Sequence, residues 1–199
     1  MILAFDTSTA ACTAALFDGS GACVAHRDEL IGRGHSERLV PMIAELMDGR
    51  SARRIIVGVG PGSFTGIRVG IAAAHGLAIG WGAELAGMSS LALLAASVDA
   101  DEVAVATVGG HGELFIQQFS SGEPVTELRN LVPALAAAET SARLVVGSGA
   151  QQLVAARGWG EARDAWPSAA NMTKVSVKSR MRAKPVYARA PDAKAKEAA

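Results

Sequence analysis

The sequence predicts an α/β protein built from two halves that repeat one order of elements: three strands, a helix, a strand and a helix. Apolar or β-branched runs and helical segments follow one another in that order over residues 2–81 and again over residues 103–157. The polar run at residues 99–102 separates the two halves. Of the 199 residues, 50% are hydrophobic and 19% are charged, which suits a globular chain with a substantial core.

The first half opens with an antiparallel meander. Apolar runs predict strands at residues 2–5, 12–17 and 22–27, and a glycine-containing polar turn joins the second strand to the third. A helix is predicted over residues 35–47, because its apolar side chains recur at helical spacing on one face. The residues of that stripe are Leu39, Val40, Ile43, Leu46 and Met47.

A strand, a glycine-rich turn and a helix form the centre of the first half. The β-branched run at residues 54–59 predicts a buried strand, and the Gly-Pro-Gly sequence at residues 60–62 then forces a turn. The helix over residues 66–81 is dense in Gly and Ala, although Gly costs about 1 kcal/mol against Ala inside a helix. Its glycines indicate that another backbone comes close, either within this chain or from a partner protein. A strand at residues 84–88 and a helix at residues 90–98 complete this half.

The second half repeats the order in a reduced form. Its predicted strands and helices cover residues 103–108, 113–119, 123–128, 131–138, 144–147 and 151–157. Two duplicated βββαβα halves are the architecture of the actin-like, hexokinase-like ATPase (ASKHA) fold. We therefore predict an N-terminal half at residues 1–98, a smaller C-terminal half at residues 99–190 and a disordered tail at residues 191–199.

Charge is unevenly distributed, although the net charge is zero. Residues 1–170 carry 11 Lys and Arg against 17 Asp and Glu, whereas residues 171–199 carry 8 against 2. A final basic helix is predicted at residues 171–182, and the basic segment is either an arm for RNA phosphates or a solvated, partly disordered tail. Tyr187 is its one aromatic residue, which is poor provision for base stacking and favours the tail.

The sequence also predicts a cytoplasmic protein without a membrane span. The N-terminus lacks the basic segment of a signal peptide, and the longest uncharged central run, residues 69–83, is shorter than the roughly twenty apolar residues that a span needs. Cys12 and Cys23 form neither a C-x-x-C pair nor a disulfide framework, so both are predicted to be free thiols.

An ATPase of this fold needs acidic groups at the ends of strands in both halves. Asp6, with Thr7 and Ser8, occupies the first point, where it either keeps residual contact with a nucleotide or only closes a turn with its own backbone amides. The second point, residues 107–110, has no carboxylate, and one acid alone holds Mg²⁺ poorly. The four histidines are scattered and none pairs at helical spacing, so we predict no metal site, no cofactor and no catalytic residue.

Three strings in the first half resemble those of one protein family. The string GPGSFTGIRVG, with the preceding ILAFDTST and GHSERLVPMI, is similar to the TsaB family, also called YeaZ. The resemblance covers most of residues 1–98 and returns at residues 112–115, 146–149 and 184–189. It implies the same actin-like fold. It also implies a cytoplasmic pseudo-enzyme that binds a TsaD-like homologous subunit and supports formation of N6-threonylcarbamoyladenosine at position 37 of ANN-decoding tRNAs.

The resemblance implies where partners bind. The helices at residues 35–47 and 66–81 would pair with the corresponding helices of the TsaD-like subunit, or with a second copy of this chain when that partner is absent. A TsaE-like ATPase and tRNA would join through the complex. The residues assigned to partner binding are His35, Leu39, Ile43, Met47, Arg68, Ala73, Gly76 and Gly80.

The sequence departs from the related patterns at two places. Where TsaD carries a His-x-x-x-His metal pair, this chain has Ser90 and Leu94. Where TsaB proteins usually have Asp-x-Arg, it has Val108, Gly109 and Gly110. The alternative to a scaffold is a free-standing ATP-dependent small-molecule kinase of the same fold, with Asp6 as the group linked to Mg²⁺.

Overall fold

The computed structural model describes residues 1–188, which form two six-stranded sheets with helices packed against them. The first five strands are β1 (Ile2–Asp6), β2 (Ala11–Phe17), β3 (Cys23–Leu30), β4 (Arg54–Gly58) and β5 (Glu84–Met88). β2 is antiparallel to both β1 and β3, as predicted for a meander, whereas β4 is parallel to β1 and β5. Because parallel neighbours need a crossover connection, helices lie between these strands in the chain.

Two helices cover one face of the first sheet. α1 (His35–Met47) connects β3 to β4, and α2 (Phe64–Trp81) connects β4 to β5. The Oγ atom of Ser63 accepts a hydrogen bond from the amide of Gly66 and so caps α2, which ends at Gly82 in the left-handed conformation. Both helices pack against β1, β2 and β4 in the first core. α3 (Ser90–Ala95) follows β5 and packs against the opposite face of the sheet.

The second sheet repeats the arrangement, and its helices and most of its strands are shorter. In chain order the elements are β6 (Glu102–Val108), β7 (Leu114–Ser120), β8 (Glu123–Pro124), β9 (Arg129–Leu131), α4 (Pro133–Glu139), β10 (Leu144–Val146), α5 (Ala150–Arg157) and β11 (Glu161–Arg163). β7 is antiparallel to β6, β8 and β9, and β10 is parallel to β6 and β11. The first half has the order βββαβα, and the second half has the same order with its third strand divided into β8 and β9, in agreement with the predicted fold class.

The single strand predicted at residues 123–128 is wrong, because the structure has a two-residue strand, β8, at the start of that range and a second short strand, β9, just after it. Pro124 has no amide hydrogen for the ladder, and β8 ends at this residue. The amide of Gln118 on β7 then donates to the side chain of Thr126 (2.9 Å) instead of to a backbone carbonyl. Pairing with β7 resumes at β9. The sequence did not predict β11, because its residues Glu161, Ala162 and Arg163 include two charges and no apolar run, unlike the Leu-Val-Val sequence of β10.

The chain returns to the first sheet after β11. Two 3₁₀ turns, Ala169–Lys174 and Val177–Ser179, lead into β12 (Arg180–Met181), which pairs antiparallel with β5. The single basic helix predicted at residues 171–182 is therefore wrong. Hydroxyl groups of serine residues accept hydrogen bonds from the amides two residues later at the start of both turns, and such local bonds compete with a continuous helix.

A second set of buried side chains lies between the two sheets. α3 meets strands of both sheets there, together with Ala169, Met172 and Val175 of the returning segment. The predicted division into residues 1–98 and 99–190 stays a prediction, and the predicted tail at residues 191–199 lies outside the described residues. None of the described helices has the length and apolar character required to cross a membrane.

Candidate functional site

The turn at residues 6–8 lies directly against the segment that runs from β4 into α2. Asp6, Thr7 and Ser8 are all fully buried. The segment approaches the turn so closely that only glycine fits at four of its positions. The glycines at which an added Cβ atom would overlap this turn are Gly58, Gly62, Gly66 and Gly70. For these four positions the close backbone approach is within the chain.

Asp6 is held by hydrogen bonds from its own chain. Its carboxylate accepts bonds from the Ser8 amide (2.7 Å), from the Ser8 hydroxyl (3.4 Å) and from the hydroxyl of Ser90 at the start of α3. Burial raises the pKa of Asp6, and these hydrogen bonds and the nearby His35 oppose that increase. Asp6 thus connects the end of β1 to α3. Residual nucleotide contact through Asp6, Thr7 and Ser8 stays a prediction.

The outer side of α2 is different, because its glycines have free space around them in the part of the chain that the structure describes. Among the described residues, no atom lies within 4 Å of an ideal Cβ position at Gly76 or Gly80. Ile79 lies on the same side of the helix and is 84% exposed. Ala73 is half-buried at the edge of the first core. We call the exposed residues Ala72, His75, Gly76, Ile79 and Gly80 the open face of α2.

The structure corrects the assignment of the α1 stripe to partner binding. Leu39, Ile43 and Met47 are at most 2% exposed and belong to the first core. His35 is also buried, with Nε2 3.2 Å from the carbonyl oxygen of Ala11. An amphipathic helix on a sheet turns its apolar stripe inward, so these four side chains stabilise the fold. The residues exposed on the other side of α1 include Val40, Pro41 and Ala44.

A cleft of about 930 Å³ lies between the two halves. The first half contributes the segments that follow β1 and precede α2, and the second half contributes the end of β6 and the chain after β11. Of the described residues that line the cleft, Asp164 alone carries a charge. The turn after β6 supplies Thr107, Val108, Gly109 and Gly110, which leaves this wall without the carboxylate of an ATPase.

Arg68, assigned to partner binding from the sequence, lies beside this cleft. Its guanidinium carbon is 3.5 Å from the ring centre of Phe64, and its Nε donates a hydrogen bond to the hydroxyl of Tyr187 (2.9 Å). The rings of Phe64 and Tyr187 are stacked with their centres 5.3 Å apart. Sequence reasoning missed these aromatic side chains and Trp166 as site residues, because they lie in separate parts of the chain. The position of Phe64 inside the glycine-rich string was the one available signal.

Ligand groups for a metal are dispersed. Within residues 1–188, no three His, Cys, Asp or Glu side chains lie close enough together to hold a metal ion. Glu113, the first carboxylate after β6, accepts a hydrogen bond from the side-chain Nδ2 of Asn130 on β9 (2.6 Å). This contact ties Glu113 to its own sheet.

Comparison with known proteins identifies relatives by sequence. The family model for TsaD, tRNA N6-adenosine threonylcarbamoyltransferase, matches residues 28–160. The tRNA threonylcarbamoyladenosine biosynthesis protein TsaB of Escherichia coli K12 is 43% identical over 99 residues, which are 47% of this chain and 42% of that protein. TsaB of Haemophilus influenzae is 35% identical over 127 residues, or 59% of this chain and 52% of that protein. The chain thus spans about half the length of these curated relatives.

Solved structures agree with the sequence comparison. A Pseudomonas aeruginosa protein described as similar to peptidase YEAZ superposes with a TM-score of 0.81 at 29% identity, covering 94% of this chain and 99% of that chain. YeaZ from Pseudomonas aeruginosa gives 0.76 at 27% identity, covering 94% and 98%. The ethanolamine utilization protein EutJ of Carboxydothermus hydrogenoformans, with a TM-score of 0.50 at 15% identity and coverage of 87% and 89%, shares the fold alone. The chain therefore belongs to the family described by the TsaD model and, within it, to the TsaB/YeaZ proteins.

Proposed function

We propose that this chain is a non-catalytic scaffold subunit of tRNA threonylcarbamoyladenosine biosynthesis. In this proposal it binds a TsaD-like homologous subunit in the cytoplasm and supports formation of N6-threonylcarbamoyladenosine at position 37 of ANN-decoding tRNAs. A TsaE-like ATPase and tRNA join through that complex. The names of the TsaB relatives and the match of this chain to the TsaD family model support the proposal.

The exposure of small and apolar residues on the open face of α2 is the observation that supports partner binding most strongly. Gly76 and Gly80 present backbone to solvent, and Ile79 between them is an exposed apolar anchor. Helices that carry small residues can pack at the short end of the usual interaxial range of about 8–10 Å. α1 lies beside α2, so its exposed residues Val40 and Ala44 extend the same surface. A homologous subunit would offer a related helix pair, and two copies of this chain could pair in the same way.

The kinase alternative has less support from the site. Asp6, the group it would link to Mg²⁺, is buried and bonded to Ser8 and Ser90. Among the described residues, the lining of the cleft provides no Lys or Arg to neutralise a transferred phosphate. Purified chain should therefore show negligible ATP hydrolysis. Magnesium-dependent hydrolysis that Asp6→Asn abolishes would favour the kinase.

Replacement of Gly76 by Leu tests the proposed interface. The added side chain lies in open space in the free chain, so the melting temperature should stay close to that of the parent protein. In a close helix contact the same side chain overlaps the partner, with an expected weakening of binding by about tenfold or more. Binding to the purified TsaD-like protein is measured by calorimetry or by co-purification.

Ala155→Leu is the matched control for this experiment. Ala155 is exposed on α5 in the second half, so a leucine there adds a similar apolar side chain away from the open face of α2. The control should bind the TsaD-like protein as the parent does. A folded Gly76→Leu variant with parental affinity would remove α2 from the interface and contradict the proposal.

A further inference from the structure

A groove separate from the cleft lies between α2 and the segment that follows β12. Its volume is about 420 Å³. α2 contributes His75, Ala78 and Ile79 to its lining, and the segment after β12 contributes Arg182 and Lys184. Among the described residues, the groove and the cleft have no lining residue in common. We call it the lateral groove.

The floor of the lateral groove is apolar. Ala78, Ala83, Leu85 and Ala183 line it, and all four are half-buried at the edge of the first core. Ile79, which is 84% exposed, forms part of its rim. Such a floor gains stability when carbon atoms cover it and exclude water. It suits a protein side chain better than the solvated phosphate backbone of a nucleic acid.

The rim of the lateral groove carries positive charge without a carboxylate. Arg182 and Lys184 form none of the ion pairs found within residues 1–188. Glu84, the first residue of β5, lies 3.6 Å from the guanidinium of Arg54 and is paired there. The described lining therefore contains two cations and no acid. A carboxylate that enters the groove would be attracted to both cations.

The two cations lie on a segment that is anchored on both sides. Before them, Met181 of β12 pairs with Gly87 of β5. After them, the amide of Val186 donates a hydrogen bond to the carbonyl of Val59 (2.9 Å). The contact with β5 is so close that a Cβ atom at Gly87 would lie 2.5 Å from the carbonyl oxygen of Arg182. An anchored segment loses less conformational freedom on binding than a mobile one, so these charges are prepared for a partner.

The lateral groove is continuous with the open face of α2. His75 and Ile79 belong to both, so a helix packed on the open face would bring its neighbouring side chains over the groove. α2 itself contains no Asp or Glu, and α2 of a second copy would offer the groove no carboxylate. The charge of the groove therefore favours a partner with an acidic residue over a second copy of this chain.

We propose that the lateral groove receives an acidic side chain of the TsaD-like subunit, from an element packed beside the open face of α2. The carboxylate binds Arg182 and Lys184, and the carbon atoms next to it cover the apolar floor. This inference rests on the proposed function and adds the chemistry by which the chain selects that subunit over a second copy.

Reversal of one charge tests the groove. Lys184→Glu should weaken binding to the purified TsaD-like protein by about tenfold at about 50 mM salt, and the difference should shrink at about 500 mM salt because the charges are screened. Lys174→Glu is the matched control. Lys174 is exposed on a 3₁₀ turn outside the groove, so the same change in net charge should alter the affinity by less than about twofold. Calorimetry with the full chain measures both variants.

A carbodiimide cross-link identifies the acidic residue. The reagent activates a carboxylate, and a lysine amine that lies against it then displaces the reagent and forms an amide. Mass spectrometry of the cross-linked complex should find Lys184 joined to an Asp or Glu of the TsaD-like protein. Lys184→Arg keeps the positive charge but removes the reactive amine. This variant should keep the parental affinity and lose the cross-link.

The outcomes separate this inference from the proposed function. If the parent binds the TsaD-like protein and Gly76→Leu does not, parental affinity of Lys184→Glu would overturn the groove alone. Failure of the parent to bind would overturn both. If Lys184→Glu weakened only the binding of tRNA to the assembled complex, the groove would serve RNA. If it weakened only self-association, the groove would serve a second copy. Either result would contradict the proposal.

Discussion

Gly66 and Gly76 lie in one helix but have opposite surroundings. A Cβ atom at Gly66 would overlap the carbonyl oxygen of Thr7, whereas a Cβ atom at Gly76 meets no described atom within 4 Å. Gly66→Ala should therefore lower the free energy of unfolding by about 1–3 kcal/mol. Gly76→Ala should raise it by up to about 1 kcal/mol, because Ala is the better helix residue. Urea denaturation measures both changes. Equal changes in the free energy of unfolding would contradict the different surroundings of the two glycines.

Asp6 should give the stability of the protein a distinctive pH dependence. Burial raises the pKa of its carboxyl, so the folded chain holds this proton at pH values where the unfolded chain has lost it. The stabilisation from protonated Asp6 is then present below its ordinary value of 3.8 and is lost as pH rises through the folded pKa.

Asp6→Asn isolates this contribution, because the amide does not titrate. The free energy of unfolding of the parent, minus that of the variant, should decrease as pH rises from about 4 to 7. Chemical denaturation across that range measures the difference. An increase with pH would mean that hydrogen bonds from Ser8 and Ser90 outweigh burial and lower the pKa.

At the scale of single residues, the sequence predicted the position of the site better than its chemistry. It placed Asp6, Thr7 and Ser8 at the end of the first strand and left two roles open. The choice between nucleotide contact and a purely structural role depends on Ser90. This residue lies 84 positions away from Asp6 in sequence and contacts it only in the folded chain. The glycines of α2 posed the same problem, since only the folded structure separates those that contact the turn from those with no neighbour among residues 1–188.

Gln118 on β7 fixes the connection from α4 to β10. Its Oε1 accepts bonds from the Ser141 amide (2.8 Å), the Ser141 hydroxyl (3.2 Å) and the Ala142 amide (2.9 Å). Gln118→Ala would leave these partly buried donors without that acceptor, at a cost of about 1–3 kcal/mol. Gln117→Ala is the control, because Gln117 makes one exposed bond to Thr126 and should cost about 0.5 kcal/mol or less. Thermal unfolding compares the two variants, and equal losses would contradict the role of Gln118.

At the scale of elements, hydrophobic periodicity predicted where helices and strands lie better than it predicted what they pack against. The stripe of Leu39, Ile43 and Met47 correctly predicted α1, but periodicity does not say whether a stripe meets its own sheet or another protein. The strands missed or misplaced in the second half are two or three residues long, and their pairing with distant strands defines them. Local sequence carries little information on such pairing.

At the scale of the whole molecule, the returning C-terminal segment should be essential for stability. A chain that ends at Ser168 loses β12 and the buried residues Ala169, Met172 and Val175, which exposes α3. We expect a lower melting temperature and a broader transition by calorimetry. A chain that ends at Ala188 retains every contact described here and should melt like the parent. Equal melting of the two truncated chains would show that the segment contributes nothing.

The return of the chain to the first sheet also places the whole second sheet between two segments that belong to the first sheet. The polypeptide passes to the second sheet near residues 96–101 and returns near residues 164–168. Two covalent connections therefore join the halves. Two such crossings define an axis, and rotation about that axis is the motion that the connectivity leaves easiest. Asp164 and Trp166, which line the cleft, lie in the second crossing itself. Rotation about that axis would therefore change the shape of the cleft, because two of its lining residues move with the connection itself.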